Sequence, residues 1–137
     1  MSRCPECGAP SVEGHGCREQ LGLLIAWEYD DPELRAEHFL TVASFNLQHP
    51  ARFTDEAHAG LREVFIDYVE RVVSLTEIRR RVSHATEGAV RVLRAESARR
   101  PVLRRWSMTI ADVYLPNQPA GAAERVRLWA RSIRSEI

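Results

Sequence analysis

The chain has 137 residues, of which 45% are hydrophobic and 28% charged, and its 19 basic and 19 acidic residues leave no net charge. This composition is typical of a soluble globular protein, and no apolar run approaches the roughly 20 residues of a membrane span. The first residues lack the apolar core of a signal peptide, and the length predicts a single domain, residues 1–137. We therefore expect a cytoplasmic protein in a reducing compartment, where clustered cysteines favour metal binding over disulfides.

Residues 1–17 are predicted to form a metal-binding loop. The segment CPECGAPSVEGHGC, residues 4–17, contains all three cysteines of the chain. Cys4 and Cys7 have the C-x-x-C spacing of a tight turn whose amides point at two thiolates, and Gly8 suits that turn, as in zinc knuckles. A redox thiol pair is the alternative, but it normally follows a strand in a βαβ pattern, which this sequence lacks. With Cys17, three thiolates are available, and a structural zinc ion requires one further ligand.

Two helices are predicted after the loop. The first covers residues 18–29, and Asp31 and Pro32 are expected to cap and begin the second, which ends before Pro50. Residues at steps of three and four predict its buried stripe as Leu34, His38, Val42, Phe45 and His49.

Three histidines compete with water to be the fourth zinc ligand. His15 lies inside the loop, and a C-x2-C-x7-H-x-C site would be self-contained. His38 and His49 are 11 residues apart, which is about 16 Å along a helix, so one ion cannot bind both. In an antiparallel helix pair the end of the second helix faces Cys17, which favours His49. For His38 we expect a hydrogen bond in the core or a polar pocket shared with Gln48 or Tyr29.

The remaining sequence predicts three more helices and an arginine-rich connection, residues 96–108. Thr54 begins the third helix, Thr76 caps the fourth and Pro119 begins the last. Thr109 is a candidate cap for a short additional helix, although Val113 and Tyr114 also suit a strand. The predicted buried stripes are Leu61, Val64, Phe65, Tyr68 and Val72; then Ile78, Val82, Ala85, Ala89 and Val92; then Ala122, Val126, Trp129, Ala130 and Ile133.

The predicted fold class is therefore mainly α. We expect a compact bundle of about five helices, residues 18–137, with a zinc-knuckle-like loop at the N-terminus and at most a short hairpin around CPECG.

Several motifs together resemble a known family. They are the CPECG turn, Gly16-Cys17 at a helix start, the stretch HFLTVASFNLQHP, Trp106 with MTIADVY, and Trp129-Ala130 in the last helix. In these the chain resembles an uncharacterised bacterial family catalogued as domain of unknown function 5946. The resemblance implies cysteine and histidine metal ligands and supplies no activity. In that family an acidic residue and a tyrosine commonly occupy the positions of Ala43 and Phe45.

Three functional hypotheses follow, and the first is favoured. It is a zinc-stabilised helical module that binds a protein partner or itself, with Cys4, Cys7, Cys17 and His49 as ligands. The motifs G-x-S-x-G and H-E-x-x-H and a phosphate-binding glycine loop are all absent, so an enzyme is not favoured.

The second hypothesis is a metal-dependent hydrolase with an open zinc position and Glu19 or His38 as a base. Three thiolates weaken zinc as a Lewis acid, and the glutamate of the deaminase H-x-E motif is missing from His15-Gly16-Cys17.

The third hypothesis is nucleic-acid binding through the basic C-terminal half. Residues 1–70 carry 5 Arg and 13 acidic residues, whereas residues 71–137 carry 14 Arg and 6 acidic residues. Such asymmetry is also explained by two halves that pack together or by subunits that pair head to tail. The candidate phosphate-binding residues are Arg79, Arg80, Arg81, Arg99, Arg100, Arg104 and Arg105.

Overall fold

The computed structural model describes residues 2–71, 73–87 and 91–137. For residues 84–87 it describes the backbone and not the side chains. The described residues contain seven α-helices and no β-strand, which confirms the mainly α fold class. The helices are α1 (Cys17–Ala26), α2 (Pro32–Ala36), α3 (His38–Leu47), α4 (Asp55–Val69), α5 (Leu75–Glu87), α6 (Ile110–Val113) and α7 (Ala122–Glu136). In this part of the chain, no helix has both the length and the apolar character to cross a membrane.

The helices belong to two compact units. The first comprises Met1–Gln48 with Val102–Ile137, and the second comprises His49–Pro101. The assignment of residues 1–137 to a single domain stays a prediction.

The predicted second helix is in fact two helices, α2 and α3, which meet at Glu37. Asp31 caps α2 as expected, because its side chain accepts a hydrogen bond from the Leu34 amide at 3.0 Å. Glu37 leaves the helical conformation with φ −96° and ψ 13°. Leu34 before it and Phe45 after it are buried as predicted. His38, the first residue of α3, is not buried: its side chain is 52% exposed.

The last helix forms the centre of the first unit. α7 packs against α2, α3 and α6, and α1 packs against α3 and α6. Gly121, with a left-handed φ of 84°, precedes α7, so the helix begins three residues after the predicted Pro119. All the residues of its predicted stripe are buried: Ala122, Val126, Trp129, Ala130 and Ile133.

The short segment before α7 is helical, not a strand. Thr109 Oγ1 accepts from the Ala111 amide at 3.3 Å, and Asp112 Oδ2 accepts from the Thr109 amide at 2.9 Å. This reciprocal cap begins α6 as the sequence predicts and satisfies amides that a helix start leaves without a partner.

The second unit contains α4 and α5, which pack against each other. Thr54 caps α4 through the Ala57 amide at 3.2 Å. The predicted cap of α5 at Thr76 is wrong, because the Ser74 hydroxyl accepts from the Glu77 amide and the helix begins at Leu75.

Burial in the second unit is lower than the predicted stripes indicate. Phe65 and Ile78 are buried, whereas Val82 is exposed and Leu61, Val64, Tyr68 and Val92 are half-buried. Val92 also follows α5 instead of ending it; its carbonyl accepts from the Thr54 amide at 3.0 Å. The predictions for Val72, Ala89 and the side chain of Ala85 fall outside the described residues.

Candidate metal centre

The CPECG segment forms a turn whose amides point at two sulfur atoms. The Gly8 amide donates to the Cys4 carbonyl at 3.0 Å, and Gly8 takes a φ of 79°, which glycine adopts readily. The amides of Glu6 and Cys7 both lie 3.4 Å from Cys4 Sγ, and the Ala9 amide lies 3.4 Å from Cys7 Sγ. Three N–H donors therefore favour negative charge on these sulfurs, as the C-x-x-C spacing predicts.

A second part of the loop brings Cys17 back towards this turn. Val12 and His15 exchange backbone hydrogen bonds at 3.0 and 2.9 Å and form an isolated bridge. Around CPECG, where the sequence suggested a short hairpin, the structure has one isolated antiparallel bridge, between Arg3 and Pro10. Gln20 is fully buried on α1, and its Nε2 donates to the carbonyls of Pro10 and His15, each at 3.0 Å. Gln20 thus fastens the loop to the helix that begins at Cys17. The sequence analysis missed this residue, because one glutamine in a helix gives no signal of burial.

His49 directly follows a buried glutamine that is anchored at both ends of its amide. Gln48 Nε2 donates to the Met108 carbonyl at 2.8 Å, and Gln48 Oε1 accepts from Trp129 Nε1 at 3.2 Å. His49 itself is buried, and its backbone, with φ −130° and ψ 60°, leaves the helix before Pro50. These bonds fix the end of α3 from which His49 extends.

The ligand atoms of Cys4, Cys7, Cys17 and His49 all lie within 4.8 Å of one another. Around an ideal tetrahedral zinc ion with bonds near 2.3 Å, neighbouring sulfurs are about 3.8 Å apart, so a small contraction would make the four atoms fit such an ion. Cys7 and His49 are buried, and Cys4 and Cys17 are half-buried. No other group of three or more His, Cys, Asp or Glu residues with this spacing occurs in residues 2–71, 73–87 and 91–137.

Electrostatics at the cluster favour a bound cation. None of the three cysteines takes part in a disulfide. A hydrogen bond with Cys17 and burial raise the pKa of the Cys7 thiol, and the charges of Cys17 and Cys4 act in the same direction. A divalent cation reverses this balance because it deprotonates the thiols that coordinate it. Three soft sulfurs and one imidazole are a typical zinc donor set.

His15, the competing ligand inside the loop, is not a member of the cluster. Its Nδ1 lies 3.5 Å from Glu19 Oε2, on the first turn of α1. The Gly16 amide, which donates to Glu19 Oε1 at 3.2 Å, lowers the pKa of this carboxyl, and His15 contributes in the same direction. A lowered pKa makes Glu19 a weaker base than an ordinary glutamate.

His38 is not a member of the cluster and pairs with a carboxylate. Its Nδ1 is 2.9 Å from both Oε1 and Oε2 of Glu28, a buried residue in the turn after α1. The predicted polar pocket shared with Tyr29 or Gln48 is wrong: Tyr29 is 88% exposed, and the Gln48 amide bonds elsewhere. Sequence reasoning missed Glu28, because a pair ten residues apart, with one member in the turn after α1 and the other at the start of α3, gives no periodic signal.

Several of the candidate phosphate-binding arginines make contacts within their own unit. In the second unit, Arg80 and Arg81 contact Glu77, and Arg81 also contacts Asp67 at 2.7 Å. Arg99 and Arg100 donate to backbone carbonyls.

In the first unit, Arg104 donates to the Glu136 carbonyl, and its guanidinium lies 3.8 Å from the centre of the Trp106 ring. Arg79 and Arg105 are exposed. The carboxylates next to Arg80 and Arg81 offset their charge. The carbonyl contacts of the other arginines occupy N–H donors that an anionic partner would need.

Comparison with known proteins identifies the family of the chain but assigns it no activity. No curated protein and no solved structure matches it. One family model matches residues 2–137, nearly the whole chain. The loop, the helices around it and the four clustered residues all fall within that match, and the protein is accordingly a member of the family of unknown function DUF5946.

Proposed function

We propose that this protein is a zinc-stabilised helical module in which Cys4, Cys7, Cys17 and His49 form a closed, structural metal site. The observation that supports it most is the approach of these four ligand atoms to within 4.8 Å of one another. Zinc, when bound, would supply positive charge that holds three thiolates and one imidazole together. The chain provides all four donors, so the proposal leaves no coordination position for water and assigns the ion no catalytic step.

The buried glutamines explain how such a site is held by the protein. Gln20 fixes the loop that carries the sulfurs, and Gln48 fixes the helix end next to His49. Supporting residues of this kind orient metal ligands and raise affinity. Metal binding then stabilises the folded loop, because the ligands are gathered only when the chain is folded.

Substitution of single ligands tests the assignment. Wild-type protein purified without chelator should contain one zinc ion per chain by elemental analysis, and Cys17→Ser and His49→Ala should lose it. Loss of the ion should also lower the melting temperature, since the free energy of zinc binding contributes to folding.

Two histidine variants are matched controls. His15→Ala and His38→Ala remove imidazoles that contact Glu19 and Glu28 instead of the cluster, so both should retain the ion. Retention of zinc by His49→Ala together with its loss in His15→Ala would transfer the fourth position to His15 and contradict the proposal.

We further propose that the module works by protein association, either with a partner or with a second copy, in a reducing cytoplasm. The support is a pair of apolar side chains on the first unit, Val102 and Leu103, which are 75% and 52% exposed. Light scattering at increasing protein concentration tests self-association, and Val102→Ser should reduce any mass increase.

Nucleic-acid binding is less favoured; the absence of salt-sensitive binding to short DNA or RNA at low ionic strength would exclude it.

A further inference from the structure

Two of the three clustered cysteines line a pocket on the surface of the first unit. The pocket has a volume of about 260 Å³, and its lining includes Cys4, Cys17, Ser11 and Gly16. Cys7 is absent from that lining and is only 2% exposed. A water molecule occupies about 30 Å³ in the liquid, so a solute of similar size, such as hydrogen peroxide, has room to enter. A small solute in the pocket therefore lies against Cys4 and Cys17, whereas Cys7 is buried.

The lining of the pocket contains more basic than acidic residues. Arg3 and Arg18 both line the pocket, and Arg3 Nη1 is held by the Gly8 carbonyl at 3.1 Å. Glu19 is the acidic residue in the same lining, and it already bonds the Gly16 amide. Arg3 and Arg18 are the chain neighbours of Cys4 and Cys17, and both cysteines are half-buried. Partial exposure of this kind is a condition for a reactive cysteine, because the oxidant has to reach the sulfur.

We propose that Cys4 and Cys17 are a peroxide-reactive pair whose oxidation to a disulfide expels the metal ion. The inference rests on the proposed metal site and adds a modification to it. The two sulfurs belong to the cluster whose ligand atoms lie within 4.8 Å of one another, so a short movement brings them to bonding distance.

The reaction balances with peroxide as the oxidant. One thiolate attacks an oxygen of hydrogen peroxide, the O–O bond breaks, a sulfenic acid forms and hydroxide leaves. The second thiolate attacks that sulfur, the S–S bond forms and a second hydroxide leaves. Two protons from solvent convert both hydroxides to water. The sulfurs supply both electrons, because zinc has no redox chemistry.

Loss of two donors explains why the ion leaves. After the disulfide forms, only Cys7 and His49 of the four ligands remain, and a structural zinc site requires four. Oxidation would thus release the loop from the stabilisation that the ion provides.

The test uses full-length protein that contains zinc, treated with one equivalent of hydrogen peroxide. A zinc-binding dye follows release, and remaining thiols are alkylated in denaturant. Cleavage after glutamate at positions 6, 13 and 19 then places each cysteine on its own peptide, residues 1–6, 7–13 and 14–19. The expected result is zinc release together with a disulfide that joins peptides 1–6 and 14–19, and an alkylated Cys7.

Other outcomes contradict the inference and are distinguishable from failure of the proposed function. Protein that contains no zinc before treatment overturns the metal site and the release step together. Zinc-containing protein that resists peroxide, or that forms a disulfide through Cys7 with either Cys4 or Cys17, overturns only the reactive pair.

A variant that fills the pocket tests access separately. Ser11→Phe places a bulky side chain in the lining, and zinc release by peroxide should slow by roughly tenfold, because such reactions depend on access to the sulfur. Ser135→Phe, an exposed position on α7, is the matched control and should react like wild type. Equal rates in the two variants, at equal zinc content, would contradict entry through this pocket.

Discussion

In the first unit, α7 buries Trp129, Val126 and Ile133 completely, whereas in the second unit the buried apolar side chains among the described residues are Phe65 and Ile78. The second unit instead has ion pairs along α4 and α5, of which Arg81 with Asp67 is one. Burial of large apolar side chains contributes far more to stability than exposed ion pairs, which are worth about 0–1 kcal/mol each. The three cysteines of the candidate metal centre belong to the first unit, which has the larger set of buried apolar side chains.

The largest effect expected from this comparison is at the centre of the first unit. Trp129→Ala removes a fully buried ring from α7 and should lower the free energy of unfolding by about 3–5 kcal/mol in a urea titration. Leu128→Ala, at the adjacent position, which is 44% exposed, should change it by only about 0.5 kcal/mol. Similar losses in both variants would mean that α7 does not provide the principal core.

A smaller effect is expected from the buried glutamine next to His49. Gln48→Leu leaves the Met108 carbonyl and the Trp129 N–H without their protein partner, and each buried group without one costs about 1–3 kcal/mol. The free energy of unfolding should fall accordingly. Gln118→Leu, at an exposed position, is the control and should leave stability within about 0.5 kcal/mol of wild type. Equal stability of the two variants would show that the network contributes little.

The sequence predicted best those features that depend on neighbours in the chain. The spacing of Trp129 and its stripe specified the buried face of α7, and the side chains of Asp31, Thr54 and Thr109 marked three helix starts. Local periodicity and capping suffice for such features because the residues involved are at most one or two turns apart.

Features that depend on distant residues were not predictable in this way. The break at Glu37 has no glycine or proline to mark it, and His38, which follows it, pairs with Glu28 ten residues earlier in the chain. Gln48 meets a carbonyl 60 residues away, so its burial follows from tertiary packing alone. The cluster of four ligands lies between these two cases, because it was predicted partly from neighbours in the chain and partly from distant residues. Cysteine spacing indicated three of the ligands, and the argument that the predicted helix pair returns to Cys17 indicated His49.

The smallest expected effect is that of the ion pairs of the second unit, and it is best measured as a change of stability with pH. The side-chain bond to Arg80, followed by that to Arg81, holds the pKa of Glu77 at about 2, below its ordinary value of 4.5. Because the folded-state pKa is the lower one, the stabilisation is fully present above about pH 4.5 and is lost as the pH falls towards 2. Wild-type protein should therefore lose stability across this window more steeply than Glu77→Gln.

Amide hydrogen exchange of α5, measured at several pH values between 5 and 2 in both proteins, isolates this contribution from the rest of the chain, because protection there reports opening of that helix. Protonation of metal ligands affects wild type and variant alike, so the difference between their pH profiles is the informative quantity. Glu63→Gln, at an exposed position on α4, is the control and should follow wild type. High salt should shrink the difference, since exposed ion pairs are screened. If the profile of Glu77→Gln coincided with wild type at low salt, the ion pairs would not stabilise the second unit, and the contrast between the two units would rest on burial alone.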